Sequence, residues 1–139
     1  MDERKKFIEI FSGLERAYGQ TKSRSKNQSG KLEKDSWIVK EQLTEQKWHD
    51  HLDGKEPSLG IIPIKDDNTT TWGAIDIDSY NGFDNTKLIK QLNDNKLPLV
   101  VCKSKSGGAH VFLFVTEPAK AVDMHMKLTE IAAWLGYGE

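Results

Sequence analysis

The sequence predicts an α+β fold in which a mainly antiparallel sheet, built from two β-hairpins, packs against helices. Apolar residues of the N-terminal segment recur with helical spacing. From residue 59 onward, short apolar runs rich in β-branched residues alternate with turn residues and helical stretches. The predicted order in the second half is strand, strand, helix, strand, strand, helix. A length of 139 residues suits one core, so residues 1–139 are expected to form a single domain.

Two helices are predicted in the N-terminal half, separated by a polar segment. Between Arg4 and Tyr18 the apolar residues fall on one helical face, and Gly19 follows as a stop signal. Residues 20–35 are polar and basic, which predicts a flexible loop within the domain. A second helix is predicted over residues 44–52, with Trp48 facing inward.

The first predicted hairpin joins residues 59–64 to residues 71–78. Both segments are short apolar runs, and the residues between them have typical turn composition. Asp84 then provides an N-cap for a helix that ends near residue 92. The buried stripe of this helix is expected to comprise Leu88, Ile89 and Leu92.

The second predicted hairpin joins residues 97–102 to residues 109–115 across a glycine-containing loop. Within its first strand, Cys102 is expected to be a small buried hydrophobic residue. A final helix is predicted to begin near Pro118, because proline is tolerated in a first turn. The side chains that this helix is expected to bury are Val122, Met126, Leu128, Ile131, Trp134 and Leu135.

The bulk composition excludes several classes of protein. No apolar run approaches the ~20 residues of a membrane span, and no apolar region follows the charged N-terminus, so neither a membrane segment nor a secretory signal is expected. The single cysteine excludes an internal disulfide and an all-cysteine zinc site, which fits a reducing, cytoplasmic location. Because the net charge is -1, any surface that binds nucleic acid must be local.

A local basic surface of this kind is predicted within residues 20–35. The candidate contacts to nucleic acid are Lys22, Arg24, Lys26 and Lys31. Two interpretations stay open for this segment: it is a solvated loop, or it is a basic arm that meets phosphates and makes binding dependent on salt.

Two aspartates stand two residues apart inside an apolar run. On a strand Asp76 and Asp78 project to one face, while Ile75 and Ile77 project to the opposite face and the core. Like charges on one strand face repel, and a hard divalent cation would compensate for them, because Mg²⁺ prefers oxygen ligands. The alternative is that this face of the strand is simply solvated.

A loop rich in serine, lysine and glycine leads into the last predicted strand. Its segment Ser106–Gly108 can direct backbone N–H groups into a concave turn, and His110 can donate to a phosphate oxygen. Lysines and hydroxyls add positive charge and donors, at Lys103, Ser104 and Lys105. This composition suits a triphosphate, although an ordinary hairpin turn with exposed lysines would look similar. The spacing differs from that of a Walker A loop.

These two motifs resemble those of the archaeo-eukaryotic primase superfamily. The first motif of that superfamily, hydrophobic-Asp-hydrophobic-Asp, is matched by Ile75–Asp78, and the second, small-x-His, by Gly108–His110. More narrowly, the chain is similar to the primase-like domains of phage, plasmid and mobile-element proteins, including TOTE-type conflict systems. The flanking runs over residues 59–64 and 99–114 agree as well, and the resemblance extends from about Glu3 to the C-terminus.

The resemblance implies template-dependent or primer-synthesising nucleotidyl transfer. It implies that Asp76 and Asp78 bind Mg²⁺ or Mn²⁺, and that His110 contacts the phosphates of the incoming nucleotide. The further nucleotide-binding residues are expected to be Ser104, Lys105, Ser106, Gly107 and Gly108, with Tyr80 beside the sugar or base. The implied partners are nucleoside triphosphates and a DNA template, or an RNA one.

The sequence departs from the superfamily in one respect. The superfamily carries a third motif, an acid after a hydrophobic residue on a later strand, and the sequence ends at Glu139 without such a strand. The chain is therefore expected to be an incomplete primase-like catalytic domain. A C-terminal segment or a helicase partner would then supply the missing parts.

Three functions compete at this point. The first is a DNA primase-polymerase with two-metal phosphoryl transfer. The second is a non-catalytic module that binds nucleotide or nucleic acid in a phage or defence system, which the missing third acid favours. The third is a metal-dependent nuclease, and it ranks last because the sequence lacks further acids and a general-base lysine at a recognisable spacing.

Overall fold

Two separate three-stranded antiparallel sheets define the fold. The computed structural model describes residues 2–30, 32–78, 84–104 and 107–137. The chain divides into two compact units, residues 1–68 (unit 1) and residues 69–139 (unit 2). Each unit combines one sheet with helices, so the α+β class predicted from the sequence is confirmed.

Unit 1 contains the sheet with the strand order β2-β1-β3. Its elements are α1 (Glu3–Ile10), β1 (Tyr18–Lys26), β2 (Leu32–Val39), α2 (Glu45–Leu52) and β3 (Ser58–Gly60). The second predicted helix is confirmed, and Trp48 is buried as expected. Arg4 of α1 donates a hydrogen bond to Asp53 after α2, and this bond lowers the pKa of the Asp53 carboxyl below its ordinary value.

The prediction of a flexible loop over residues 20–35 is wrong, because β1 and β2 form an antiparallel hairpin there. Polar cross-strand pairs hold it: the hydroxyls of Thr21 and Ser36 lie 2.9 Å apart. The guanidinium of Arg24 lies 3.5 Å from the carboxylate of Asp35. Both faces of this hairpin carry polar side chains, so the apolar alternation that marks a half-buried strand is missing from the sequence.

The first predicted helix is shorter than expected, since α1 ends at Ile10 rather than at Tyr18. The segment after α1 leaves the helical path, and its backbone is hydrogen-bonded to a distant part of unit 1. The Leu14 amide donates to the Ile62 carbonyl at 2.8 Å. A side chain on Gly13 would place its Cβ 2.2 Å from the same carbonyl oxygen. Glycine is therefore required at this close approach.

The first predicted hairpin is also wrong in its pairing. β3 pairs with β1 in the register Gly19↔Gly60 and does not pair with the strand over residues 69–77. Sequence proximity favours pairing of neighbouring strands, but β3 has only 3 residues and completes the sheet of unit 1 instead. Strand order is a non-local property that the two apolar runs did not encode.

Unit 2 contains the sheet with the strand order β4-β6-β5. Its elements are β4 (Thr69–Ile77), α3 (Asn85–Asp94), β5 (Leu99–Lys103), β6 (Ala109–Lys120) and α4 (Ala121–Leu135). The predicted hairpin of β5 and β6 is confirmed. One face of the sheet packs against both helices, and the core residues are Ile75, Ile77, Leu88, Leu92, Ala109, Val111 and Leu135. The opposite face carries the candidate site.

The last helix begins at Ala121, and Pro118 lies in β6 rather than in a first helical turn. The stripe of α4 that faces the sheet comprises the buried Met124 and Leu135, and Leu128, Ile131 and Ala132 are partly buried beside them. Val122, Met126 and Trp134 were expected to be buried and are exposed instead. A helical period identifies apolar stripes but does not say which of two adjacent stripes a sheet covers.

Two further burial predictions are wrong in unit 2. Ile89 of α3 is exposed, whereas Leu88 and Leu92 are buried as expected. Cys102 is exposed as well, because it lies on the sheet face opposite to the helices.

Asp84 caps α3 as predicted, since its carboxylate accepts from the Thr86 amide at 2.9 Å. We expect Asp84→Ala to lower the free energy of unfolding by about 1 kcal/mol, because the first helical turn loses an acceptor for its unpaired N–H groups. Asp84→Asn keeps a side-chain oxygen and should remain close to the wild type. Urea denaturation followed by circular dichroism measures both, and equal losses in the two variants would contradict the capping role.

Candidate active site

The candidate site lies where β4 ends and β6 begins, on the open face of the sheet in unit 2. The alternation along β4 agrees with the sequence: Ile75 and Ile77 are buried in the core, whereas Asp76 and Asp78 are exposed. Antiparallel pairing places Asp76 directly opposite His110. The two motifs found in the sequence are therefore neighbours across one strand pair, and neither motif could have specified this pairing alone.

Asp76 and His110 form an ion pair across the strands when the imidazole is protonated. The His110 Nε2 atom lies 3.2 Å from the Asp76 Oδ1 atom, and the side chains are 45% and 72% exposed. Exposed pairs of this kind contribute little to stability, on the order of 0–1 kcal/mol. The pair combines a carboxylate acceptor with an imidazole that can donate, and both remain open to solvent.

The loop between β5 and β6 is closed by its own backbone. The Ser104 amide donates to the Gly108 carbonyl at 3.1 Å, and the Gly107 amide donates to the Ser104 carbonyl at 3.2 Å. Gly107 has a φ of 93°, a conformation that favours glycine. One of the backbone donors predicted to face a phosphate, that of Gly107, is thus directed into the turn itself.

Gly108 has a role that sequence reasoning missed. A Cβ atom at this position would lie 1.9 Å from the Ile77 carbonyl oxygen and 3.0 Å from the Asp78 carbonyl carbon. The loop can pass against the end of β4 only because Gly108 has no side chain. The small residue two positions before His110 therefore brings the two halves of the site together, a function that a glycine in the sequence could not reveal by itself.

Several predicted site residues lie outside the described residues, or in the other unit. Lys31, Tyr80, Lys105 and Ser106 are outside the described residues. Lys22, Arg24 and Lys26 lie on β1 of unit 1. Arg24 faces Glu33 at 4.0 Å and Asp35 at 3.5 Å, so acids of β2 offset part of the positive charge of this strand.

The open sheet face also carries an aromatic row that the sequence analysis did not single out. β6 places His110, Phe112 and Phe114 on one face, and Trp72 of β4 lies opposite Phe114. The ring centroids of His110 and Phe112 are 6.2 Å apart, and those of Phe112 and Phe114 are 5.9 Å apart. The spacing i, i+2, i+4 in the sequence could have indicated this row, but these residues were interpreted only as part of an apolar strand.

The donor set matches a metal site in part. Among the described residues, no group of three or more His, Cys, Asp or Glu side chains could hold a metal ion by itself. Two exposed carboxylates on one strand face still fit Mg²⁺, which proteins hold with one or two carboxylates together with phosphates of the substrate. The residues present therefore suit a cation that arrives with a nucleotide better than a permanently bound one.

The structure thus pairs a carboxylate with an imidazole on an open sheet face, next to a glycine-bearing loop. The chain matches the family described as TOTE conflict system, Archaeo-Eukaryotic Primase domain, over residues 5–133. The chain belongs to this family, and the resemblance inferred from the two motifs is confirmed. A comparison with curated proteins finds no match.

Family membership indicates a primase-like class of chemistry, nucleotidyl transfer, at the level of the family. Such domains generally use divalent metals and bind nucleotides and nucleic acid. Among the helices that the structure describes, none combines the length and apolar character that a membrane span requires.

Proposed function

We propose that unit 2 binds a nucleoside triphosphate together with Mg²⁺ or Mn²⁺ and transfers the nucleotide to a growing DNA or RNA strand on a template. The observation that carries this proposal is the Asp76–His110 pair on the open sheet face, at 3.2 Å, in a chain of the primase-like family. The pair joins the two halves of the motif signature in one place.

Each side chain has a separate task in this proposal. Asp76 and Asp78 hold the cation, which when bound would offset the negative charge of the phosphates. His110 donates from its imidazole to a phosphate oxygen. The remaining proposed nucleotide contacts are Ser104, Lys105, Ser106, Gly107 and Gly108, with Tyr80 at the sugar or base.

The charges of the site make the two ligands interdependent. Two carboxylates repel a triphosphate, so Asp76 and Asp78 disfavour the nucleotide until a cation neutralises them. By linkage, the cation must then raise nucleotide affinity by the same factor by which the nucleotide raises cation affinity. A site of this kind is expected to bind either ligand weakly alone and both well together.

The template is proposed to contact the basic strand of unit 1. Lys22 and Lys26 are exposed on β1, and Lys31 belongs to the same predicted surface. Arg24 contributes less net charge there because Asp35 faces it. Such contacts would be electrostatic and independent of base sequence, so the affinity for single strands should fall as salt rises.

Calorimetric titration of Mn²⁺ and a deoxynucleoside triphosphate tests the proposal. We expect a dissociation constant of about 1 μM to 1 mM in the presence of Mn²⁺ and little binding in its absence. His110→Ala should weaken binding about 10-fold or more, because a hydrogen bond to a charged group is lost. The exposed His125 of α4 offers a matched control, and His125→Ala should bind like the wild type. A folded wild-type chain that binds no nucleotide with Mn²⁺ would refute the proposal.

A second function is favoured by one observation. The described residues lack a third acid that could complete a metal site beside Asp76 and Asp78. The alternative is therefore a non-catalytic module that binds nucleotide or nucleic acid. Primer extension and primer synthesis assays with the metal-loaded chain separate the two, since the module would bind nucleotide and incorporate none.

A further inference from the structure

We infer that Phe112 stacks on the base of the nucleotide whose phosphates lie at His110. This inference rests on the proposed function and deepens it, because it assigns a base-recognising surface to the same site. The inference is based on the position of Phe112, which lies on the open sheet face two residues after His110 on β6.

The spacing suits one ligand that spans both side chains. Residues i and i+2 of a strand lie about 6.8 Å apart and project to the same face. The rings of His110 and Phe112 are in edge contact, with centroids 6.2 Å apart and an interplanar angle of 79°. A charged group held at the imidazole thus has an apolar ring beside it.

The cross-strand neighbours of Phe112 make its surroundings apolar. Ala74 of β4 and Val100 of β5 lie opposite it in register, and both are exposed. Each of these side chains is smaller than a ring, so the partly exposed Phe112 is the large flat group between them. A phosphate would gain nothing here, whereas a base can stack.

The open face is therefore charged at the start of β6 and apolar further along the strand. A nucleotide likewise has charged phosphates at one end and a flat base at the other. Asp76 and His110 stand at the charged end, and Phe112 begins the apolar end. Phe114 stacks on Phe112 at 5.9 Å, and Trp72 lies 6.2 Å from Phe112, so neighbouring rings support its position. Stacking of this kind is tolerant of base identity and favours larger bases.

The experiment compares ATP with inorganic tripolyphosphate, each titrated with Mn²⁺ into the full chain. Phe112→Leu keeps an apolar side chain and removes the ring. We expect it to weaken ATP binding about tenfold and to leave tripolyphosphate binding unchanged. His110→Ala should weaken both ligands, because it acts on the phosphates. Phe112→Tyr keeps the ring and should bind ATP with the affinity of the wild type.

Two controls separate stacking from a loss of structure. Trp134 is an exposed aromatic residue on α4, and Trp134→Leu should leave both affinities unchanged. A second measurement needs no substitution: the wild type should bind ribose 5′-triphosphate, which lacks a base, about tenfold more weakly than ATP.

Equal affinities of the wild type for ATP and ribose triphosphate would overturn the inference. The inference would also be overturned if Phe112→Leu weakened the binding of ATP and of tripolyphosphate to the same degree, or weakened neither. A wild-type chain that binds none of the three ligands would overturn the proposed function as well, so the two failures are distinguishable.

Discussion

Gly108→Ala is expected to destabilise unit 2 by about 3 kcal/mol, the upper end of the usual cost of overpacking, because the added methyl group would overlap backbone atoms. The added Cβ would lie 1.9 Å from the Ile77 carbonyl oxygen and 3.0 Å from the Asp78 carbonyl carbon. Both obstacles are backbone atoms of the strand end, so relief requires that β4 and the β5–β6 loop separate. Such a separation would also move Asp76 away from His110.

Two other glycines provide a graded comparison. At Gly73 the added Cβ would meet the Leu128 side chain at 2.6 Å, and a flexible side chain can shift, so Gly73→Ala should cost about 1–3 kcal/mol. At Gly19 the nearest atom lies at an ordinary 3.6 Å, and Gly19→Ala should change stability by less than about 1 kcal/mol. Urea denaturation monitored by circular dichroism gives the ranking. A Gly108→Ala variant as stable as Gly19→Ala would contradict the proposed close approach.

Asp76→Asn is expected to have opposite effects on nucleotide binding with and without metal. With Mn²⁺, the variant should bind deoxynucleoside triphosphate at least about 100-fold more weakly, because loss of even an outer-shell partner of a metal costs 10–100-fold. With EDTA, the same variant should bind as well as the wild type or up to about fivefold better, because one repelling charge has gone. Titration calorimetry under both conditions measures this crossover.

The crossover separates a metal ligand from a direct phosphate contact. A variant that weakens binding equally with Mn²⁺ and with EDTA would show that Asp76 does not act through a cation. Stability offers a control, since the Asp76 side chain is 72% exposed and its pair with His110 is a surface pair. We expect Asp76→Asn to change the free energy of unfolding by no more than about 0.5 kcal/mol. Asp94 pairs with Lys90 on α3, and Asp94→Asn controls for the loss of a surface charge.

Features that depend on nearby residues were predictable from the sequence. The Asp84 cap is one, because capping involves only the next few residues. The alternation that buries Ile75 and exposes Asp76 is another, because strand geometry alone sets it. The hairpin of β5 and β6 followed from two apolar runs that a short glycine-bearing loop connects.

Features that depend on distant pairing were not predictable in this way. The β1–β2 hairpin carries polar residues on both faces, so its strands lack the period-2 signal. The pairing of Asp76 with His110 depends on β4 lying beside β6 rather than beside β3, which no local pattern specifies. The exposure of Trp134 depends on which stripe of α4 meets the sheet. The roles of the site residues remain predictions.

The strand order of unit 2 determines when the candidate site can form during synthesis on the ribosome. β6 is central, and β4 pairs with β6 but not with β5. During synthesis the native partner strand of β4 is therefore not available until β6 has been translated. Asp76 comes to lie beside His110 only when β4 and β6 meet across the intervening segment, which contains α3 and β5. A nascent chain interrupted before β6 carries both aspartates but has no carboxylate–imidazole pair, so the pair can form only after β6 has been synthesised.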